Sequence, residues 1–184
     1  MTVSFVPVKT AEDQLKLSEL AGEIWREYWP ALIGAEQTEY MIEKFQSFKA
    51  IKHYMAREDY EYWFLYADEN ELSEEDAQAR PWGRIVGFTG GCNEPQSNRF
   101  FISKIYLLQS ARGHGFARKV VEFYTALCRV RGQRAMYLTV NKGNNLGIRA
   151  YKGTGFETID ATRTDIGHGF VMDDYIMEKR VLTD

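Results

Sequence analysis

A chain of 184 residues, 45% hydrophobic and 14% aromatic, has enough apolar material for a sizeable core, which excludes disordered, collagen-like and low-complexity classes. Its length predicts a single domain over residues 1–184. The formal net charge of −3 is uneven: residues 95–156 hold one acid, Glu122, against eleven bases, while the flanking stretches are acidic.

Phe5-Val6-Pro7-Val8 reads as a short first strand, edge-like because proline cannot donate to a ladder. Thr10 is placed to cap a helix, with Asp13 at the capping-box position and Leu17, Leu20, Ile24 and Tyr28 forming its apolar stripe beside Trp25. Trp29-Pro30 and Gly34 break the pattern before a second helix carrying Tyr40, Met41, Lys44 and Phe45, with helical or irregular chain to Arg57. Tyr60–Ala67 reads as an aromatic strand, and the acidic run from Glu69 to Pro81 as an exposed hairpin connection. Strands are expected over Trp82–Gly91 and Phe100–Leu107, then a helix over Gly113–Arg131 and a strand over Ala135–Val140. A short helix over Asn145–Lys152, ended by Gly153 and Gly155, precedes two closing strands, Phe156–Thr162 and Gly169–Lys179. The strand–helix–strand run from Phe100 to Val140 requires a right-handed crossover and parallel strands. Hairpins flank it, so the sheet is mixed and the fold class is α/β or α+β, with six to seven strands and four or so helices.

No apolar run approaches the roughly 18 residues of a membrane span. The start, Met1-Thr2-Val3-Ser4-Phe5, has no basic segment followed by an apolar stretch, so no signal peptide is expected. Cys92 and Cys128 lack metal spacing and read as reduced thiols; a cytoplasmic protein without metal or membrane partner is the expectation.

The chemistry concentrates in the basic segment, whose bases are Arg99, Lys104, Arg112, Arg118, Lys119, Arg129, Arg131, Arg134, Lys142, Arg149 and Lys152. Such a segment asks for an anionic partner. Within it, Arg112-Gly113-His114-Gly115-Phe116-Ala117 lies at a strand-to-helix turn. Glycines there let a ligand approach the backbone, the helix start presents unpaired N–H groups, and a guanidinium suits a phosphate. A P-loop would need Gly-Lys-Ser/Thr where Gly115-Phe116-Ala117 stands, and a dinucleotide fingerprint would need a small residue where Arg118 stands and an acid where Asn141 stands. A second polar cluster, Asn141, Asn144 and Asn145, follows the next strand, and Tyr151-Lys152-Gly153-Thr154-Gly155-Phe156 ends the helix after it.

The turn Arg112–Ala117 matches an Arg/Gln-x-x-Gly-x-Gly/Ala signature, with Asn144, Tyr151 and Gly155-Phe156 following at family spacing. Together they resemble the GNAT (GCN5-related) superfamily of acetyl-CoA-dependent N-acetyltransferases, most closely over residues 99–156. Trp25 and Trp29 followed by Glu36-Gln37-Thr38-Glu39-Tyr40-Met41 look like a bacterial diamine acetyltransferase-like subgroup. The resemblance implies that backbone N–H groups of Arg112, Gly113, His114, Gly115, Phe116 and Ala117 hold the diphosphate of coenzyme A. It implies that the Leu107 N–H meets the acetyl carbonyl, that Asn144, with Asn141 assisting, bonds the cofactor, and that Tyr151 protonates the departing thiolate. The acceptor amine would attack the thioester directly.

Some superfamily members carry a basic glutamate on the fourth strand, but Phe100–Tyr106 has no carboxylate. Glu61, Glu94, Asp173 and Asp174 stay open as bases. Trp25, Tyr28, Trp29 and Tyr40 are candidate walls for the acceptor, and the acidic bias elsewhere favours a small cationic primary amine such as a polyamine. The alternatives are a non-catalytic acyl-CoA-binding or sensing module and an enzyme acting on a protein or peptide amine. A nucleic-acid partner is disfavoured because no recognition motif accompanies the bases. A homodimer is common for the superfamily.

Overall fold

The structure, a computed structural model, describes residues 2–57, 59–68, 78 and 82–182. Its first strand, β1 (Val3–Pro7), pairs antiparallel with β2 (Tyr60–Ala67) from Val3↔Ala67 to Pro7↔Trp63. It is an edge strand, which is where a proline without an N–H is tolerated. Between them run four helices. Thr10 caps α1 (Ala11–Tyr28) through a complete capping box: its hydroxyl accepts from Asp13 N at 3.0 Å, and the Asp13 carboxylate accepts from Thr10 N at 2.9 Å. Leu17, Leu20, Ile24 and Trp25 are the buried stripe of α1, while Tyr28 is only half-buried.

The expected second helix is three short ones. Pro30 opens α2 (Pro30–Ile33), and Gly34 (φ +84°) separates it from α3 (Ala35–Phe45). The Ser47 hydroxyl caps α4 (Phe48–Met55). Of the acidic stretch expected as a hairpin connection, only Gln78 is among the described residues.

Strand β3 (Ile85–Glu94) starts and ends about one turn later than its composition suggests. Gly83, at φ +58°, holds Trp82–Arg84 in a turn, and Ile85 N donates to Trp82 O. Then come β4 (Arg99–Leu107), a 3-10 turn (Gln109–Ala111), α5 (Phe116–Val130), β5 (Ala135–Asn141), α6 (Asn145–Lys152), β6 (Glu157–Gly167) and β7 (Phe170–Arg180). Helix α5 begins at Phe116 rather than Gly113 because Gly113 and Gly115 both have positive φ. The β6–β7 hairpin turns on His168 (φ +54°) and Gly169 (φ +77°), the two positive angles that a tight primed turn requires.

The strands are ordered β1-β2-β3-β4-β5-β7-β6 in one mixed seven-stranded sheet, and β4 and β5 are parallel as the crossover demands. Their ladder runs from Arg99↔Ala135 to Phe101↔Tyr137, whereas β5 pairs with β7 along its whole length, from Ala135↔Arg180 to Asn141↔Asp174.

Two compact units make up the chain: residues 1–90 with 104–119, and residues 91–103 with 120–184. The first has its core in α1 together with Tyr62, Phe64 and Leu65 of β2 and Val86 and Phe88 of β3. In the second, Val120, Val121, Tyr124 and Cys128 of α5 are buried with Phe100, Met136, Leu138 and Met177, and the Phe100 and Tyr124 rings lie 5.0 Å apart. Among the described residues, no helix is long and apolar enough to cross a membrane.

Candidate active site

In the first unit, β4 delivers the chain to a turn built for close approach. Strand β3 lies so near that a Cβ on Gly87 would come within 2.2 Å of the Tyr106 carbonyl oxygen, so only glycine lets β3 support the end of β4. Leu108 N donates to Val86 O at 3.0 Å, holding the strand as it leaves the sheet. Helix α1 then clamps the turn. The Glu27 carboxylate accepts from Gln109 N at 3.0 Å and stands 3.5 Å from the Arg112 guanidinium. Arg112 Nε donates to the Leu107 carbonyl at 3.1 Å, and its guanidinium stacks over the Tyr28 ring at 4.8 Å. Arg112 thereby links Leu107, the turn and α1 into one frame.

Gly113 (φ +82°) and Gly115 (φ +83°) occupy the left-handed region, and a Cβ built on either would meet no atom within 4 Å. Arg118 N and Lys119 N both donate to Gly115 O, starting α5. Among the described residues, no acceptor meets the backbone N–H groups of Gly113, His114, Gly115, Phe116 or Ala117. Five successive amides with open space above the glycines suit an anion that bridges several donors.

The aromatic residues around this end of β4 form a contiguous cluster. Trp25 stacks on Trp29 at 5.0 Å and meets Tyr106 edge-on at 5.5 Å, and Tyr28 meets Trp29 at 5.4 Å. Tyr40 lies instead on α3, where Lys44 Nζ donates to its hydroxyl. Burial raises the Tyr28 phenol above its ordinary value, against the pull of Arg112.

Two buried or clamping contacts of this unit have no motif to announce them. Glu27 meets a turn more than eighty residues away in sequence, so no local signal marks it. Lys104 is buried, only 5% exposed, with Nζ donating to the Tyr60 hydroxyl at 3.0 Å and the rings of Tyr54, Tyr60 and Tyr62 at 4.6, 5.4 and 5.4 Å. Its visible signal was the alternation Phe100, Ile102, Lys104, Tyr106, which puts a cation on an otherwise apolar face.

In the second unit, the residues after β5 form an Asn-rich turn. Asn141 Oδ1 accepts from Gly143 N at 2.9 Å, and Asn144 Oδ1 accepts from Gly147 N at 2.9 Å, making Asn144 the N-cap of α6. Tyr151 is half-buried on α6 with its ring edge-on to Phe156 at 5.9 Å. Lys179 Nζ donates to Thr154 O at 2.7 Å and fixes the end of that helix to β7.

The four carboxylates differ sharply. Glu94 is bonded to the Tyr137 hydroxyl, to Ser97 and to Arg99, which also pairs with Glu178 at 3.0 Å. Asp173 pairs with Lys142 at 2.5 Å. Glu61 is half-buried on β2. Asp174 is buried, and that burial first, then neighbouring Asp173, raises its pKa to about 6 against a lowering pull from Lys142. Neither thiol is placed for nucleophilic work: both are buried, and burial pushes Cys128 up to about 11.

A family model described as the acetyltransferase (GNAT) family matches residues 21–156, which include the turn, the aromatic cluster and α6. The chain belongs to the GNAT acetyltransferase family. An Arabidopsis thaliana protein, GCN5-related N-acetyltransferase 6, chloroplastic, is 30% identical over 69 residues, which are 37% of this chain. The match spans about a quarter, 24%, of that curated relative. Among solved structures, the PaiA N-acetyltransferase of Thermoplasma acidophilum in complex with coenzyme A is similar with a TM-score of 0.73, at 20% identity, over 98% of this chain and 99% of that one. A chimera built on the spermidine N-acetyltransferase SpeG of Vibrio cholerae gives a TM-score of 0.64 at 13% identity, covering 98% and 96%. These neighbours share the GNAT fold with this chain.

Proposed function

We propose that this chain is an N-acetyltransferase that moves an acetyl group from acetyl-CoA to a small cationic primary amine. The observation that carries the reading is the row of uncommitted amides from Gly113 to Ala117, framed by Arg112 in a chain of GNAT membership. Coenzyme A is a polyanion, and its diphosphate offers the several acceptor oxygens that such a row needs. In this reading the Leu107 N–H donates to the acetyl oxygen as negative charge develops there. Asn141 and Asn144, at the turn that leads into α6, bond the cofactor.

The reaction is a direct displacement. The amine nitrogen attacks the thioester carbon, the carbonyl pair moves to oxygen and returns, and the C–S bond breaks with its pair on sulfur. Tyr151 gives its phenolic proton to that thiolate, a good leaving group that needs only a nearby weak acid. The cationic character of the acceptor is supported by the acidic residues flanking the basic segment and by the spermidine named for one fold neighbour.

The test is thiol release from acetyl-CoA against a panel of polyamines, amino acids, aminoglycosides and peptides, paired with calorimetric titration of coenzyme A. Polyamines should give the largest kcat/KM. Tyr151→Phe should lower kcat by about 100-fold or more while coenzyme A affinity stays within about twofold. Coenzyme A binding with no thiol release from any amine would leave a sensing module instead.

A further inference from the structure

Deprotonation of the acceptor is the step the sequence leaves unassigned, and the geometry separates the carboxylates that compete for it. Glu94 is tied to Tyr137, Ser97 and Arg99, Asp173 to Lys142, and Glu61 is engaged by its own neighbours. Asp174 differs from all three. It is 4% exposed, and the charged groups that act on it, Asp173 and Lys142, do so through space rather than through a hydrogen bond. A carboxylate held out of water without a hydrogen bond is costly when ionised, which marks Asp174 as a candidate for chemistry.

Its position matters as much as its burial. Asp174 stands opposite Asn141 on β5 and Thr162 on β6, and directly opposed residues share a face of the sheet. The β4–β5 ladder has ended at Phe101↔Tyr137, so at Asn141 the strand is paired on the β7 side alone among the described residues. Asp174 therefore lies beside the Asn141–Asn144 turn that leads into the helix carrying Tyr151.

We propose that Asp174 is the general base that takes the proton from the acceptor's ammonium group. The inference rests on the acetyltransferase reading above. The ammonium N–H bond breaks with its pair left on nitrogen, and the proton passes to an Asp174 oxygen and on to water. The freed pair forms the C–N bond to the acetyl carbon. The second proton, from the attacked nitrogen, restores the phenolic proton that Tyr151 gives to the thiolate, so each turnover releases one proton. The pKa of about 6 suits a base that must be ionised near neutrality. The ionisable groups around it are Asp173 and Tyr175 on β7, Lys142 beyond β5, and Arg163 on β6 opposite Asp173.

The test uses the fastest amine of the panel with Asp174→Asn and Asp173→Asn. Asp174→Asn should lower kcat by about 100-fold near neutral pH with coenzyme A affinity unchanged, whereas Asp173→Asn should stay within about threefold of the parent. The parent kcat should fall on the acid side of about pH 6, and the limb should survive in Asp173→Asn. An Asp174→Asn enzyme within about threefold of an active parent overturns the inference while sparing the acetyltransferase reading. A parent kcat that stays flat to about pH 5 also overturns it, and decides the matter if the variant fails to fold. A parent that binds coenzyme A but releases no thiol from any amine sinks both.

Discussion

Gly115 carries φ +83° with no atom within 4 Å of a built Cβ, so a side chain there is strained in backbone yet free of steric obstruction. The left-handed region costs a non-glycine residue about 1–2 kcal/mol, which a folded domain survives. What a side chain would occupy is the space above the uncommitted amides. Gly115→Glu should therefore leave a cooperative melt but raise the dissociation constant for coenzyme A by about 100-fold or more, through a carboxylate set against phosphate. An unchanged titration would remove the phosphate role from the turn. Arg112 calls for a different expectation, because its guanidinium already serves Leu107 O, Glu27 and the Tyr28 ring. Lysine cannot fork or stack in that way. Arg112→Lys should lower both the melting temperature and coenzyme A affinity, and a loss of affinity alone would mean that the arginine acts only on phosphate.

Asp174 adds a stability signature independent of turnover. Its folded pKa, near 6, is raised above the ordinary 3.8, so folding favours its protonated form. The benefit is full below the unfolded pKa and is lost as pH rises through about 6, leaving a buried charge at neutrality. Asp174→Asn removes that charge while keeping the shape. A shift of this size corresponds to about 2–3 kcal/mol at most, or melting higher by about 5 °C near pH 7.5. The gain should vanish near about pH 4, where the parent is protonated too. A lower melting temperature for the variant at neutral pH would show that the carboxylate is satisfied by contacts that stabilise it.

Helices and strands show where local reading succeeds. The Thr10–Asp13 box was visible as spacing and forms as expected, with both reciprocal bonds made. Thr10→Ala should cost about 1 kcal/mol and lower the melting temperature by about 2–4 °C, without changing coenzyme A affinity. The strands from β4 onward, α5 and the parallel pairing were legible because periodicity and the crossover rule are local constraints. The boundaries that moved were set by backbone angles: Gly83 delays β3, and Gly113 and Gly115 delay α5. The division of the second helix turned on Gly34 and on the Ser47 cap. The turn from Arg112 to Ala117 was readable as a motif, whereas Glu27, Lys104 and the contrast among the four carboxylates were not. Each depends on contacts between distant stretches of chain, such as Glu27 with Gln109 or Lys104 with Tyr60. Sequence could name Asp173 and Asp174 together, but only strand register separates an aspartate paired with Lys142 from its buried neighbour.

Taken over the whole chain, charge segregated in sequence is in part paired across it. Of the eleven bases in residues 95–156, Arg99 faces Glu94 and Glu178, Arg112 faces Glu27, and Lys142 faces Asp173. All four acids come from outside the segment, and Lys104 is buried under three tyrosines. The positive surplus that a linear count suggests is therefore partly spent on the fold, and only the remainder is left to steer a polyanion. Steering is screened over about 8–10 Å at physiological salt, whereas bonds from fixed amides to phosphate oxygens are short and lose much less. Raising salt from about 50 to about 500 mM should accordingly weaken coenzyme A binding by only about threefold to tenfold, mostly as a slower association rate seen in stopped flow. A loss of about 100-fold, or one carried by dissociation, would mean that exposed side-chain charges grip the phosphates and that the amides from Gly113 to Ala117 contribute little.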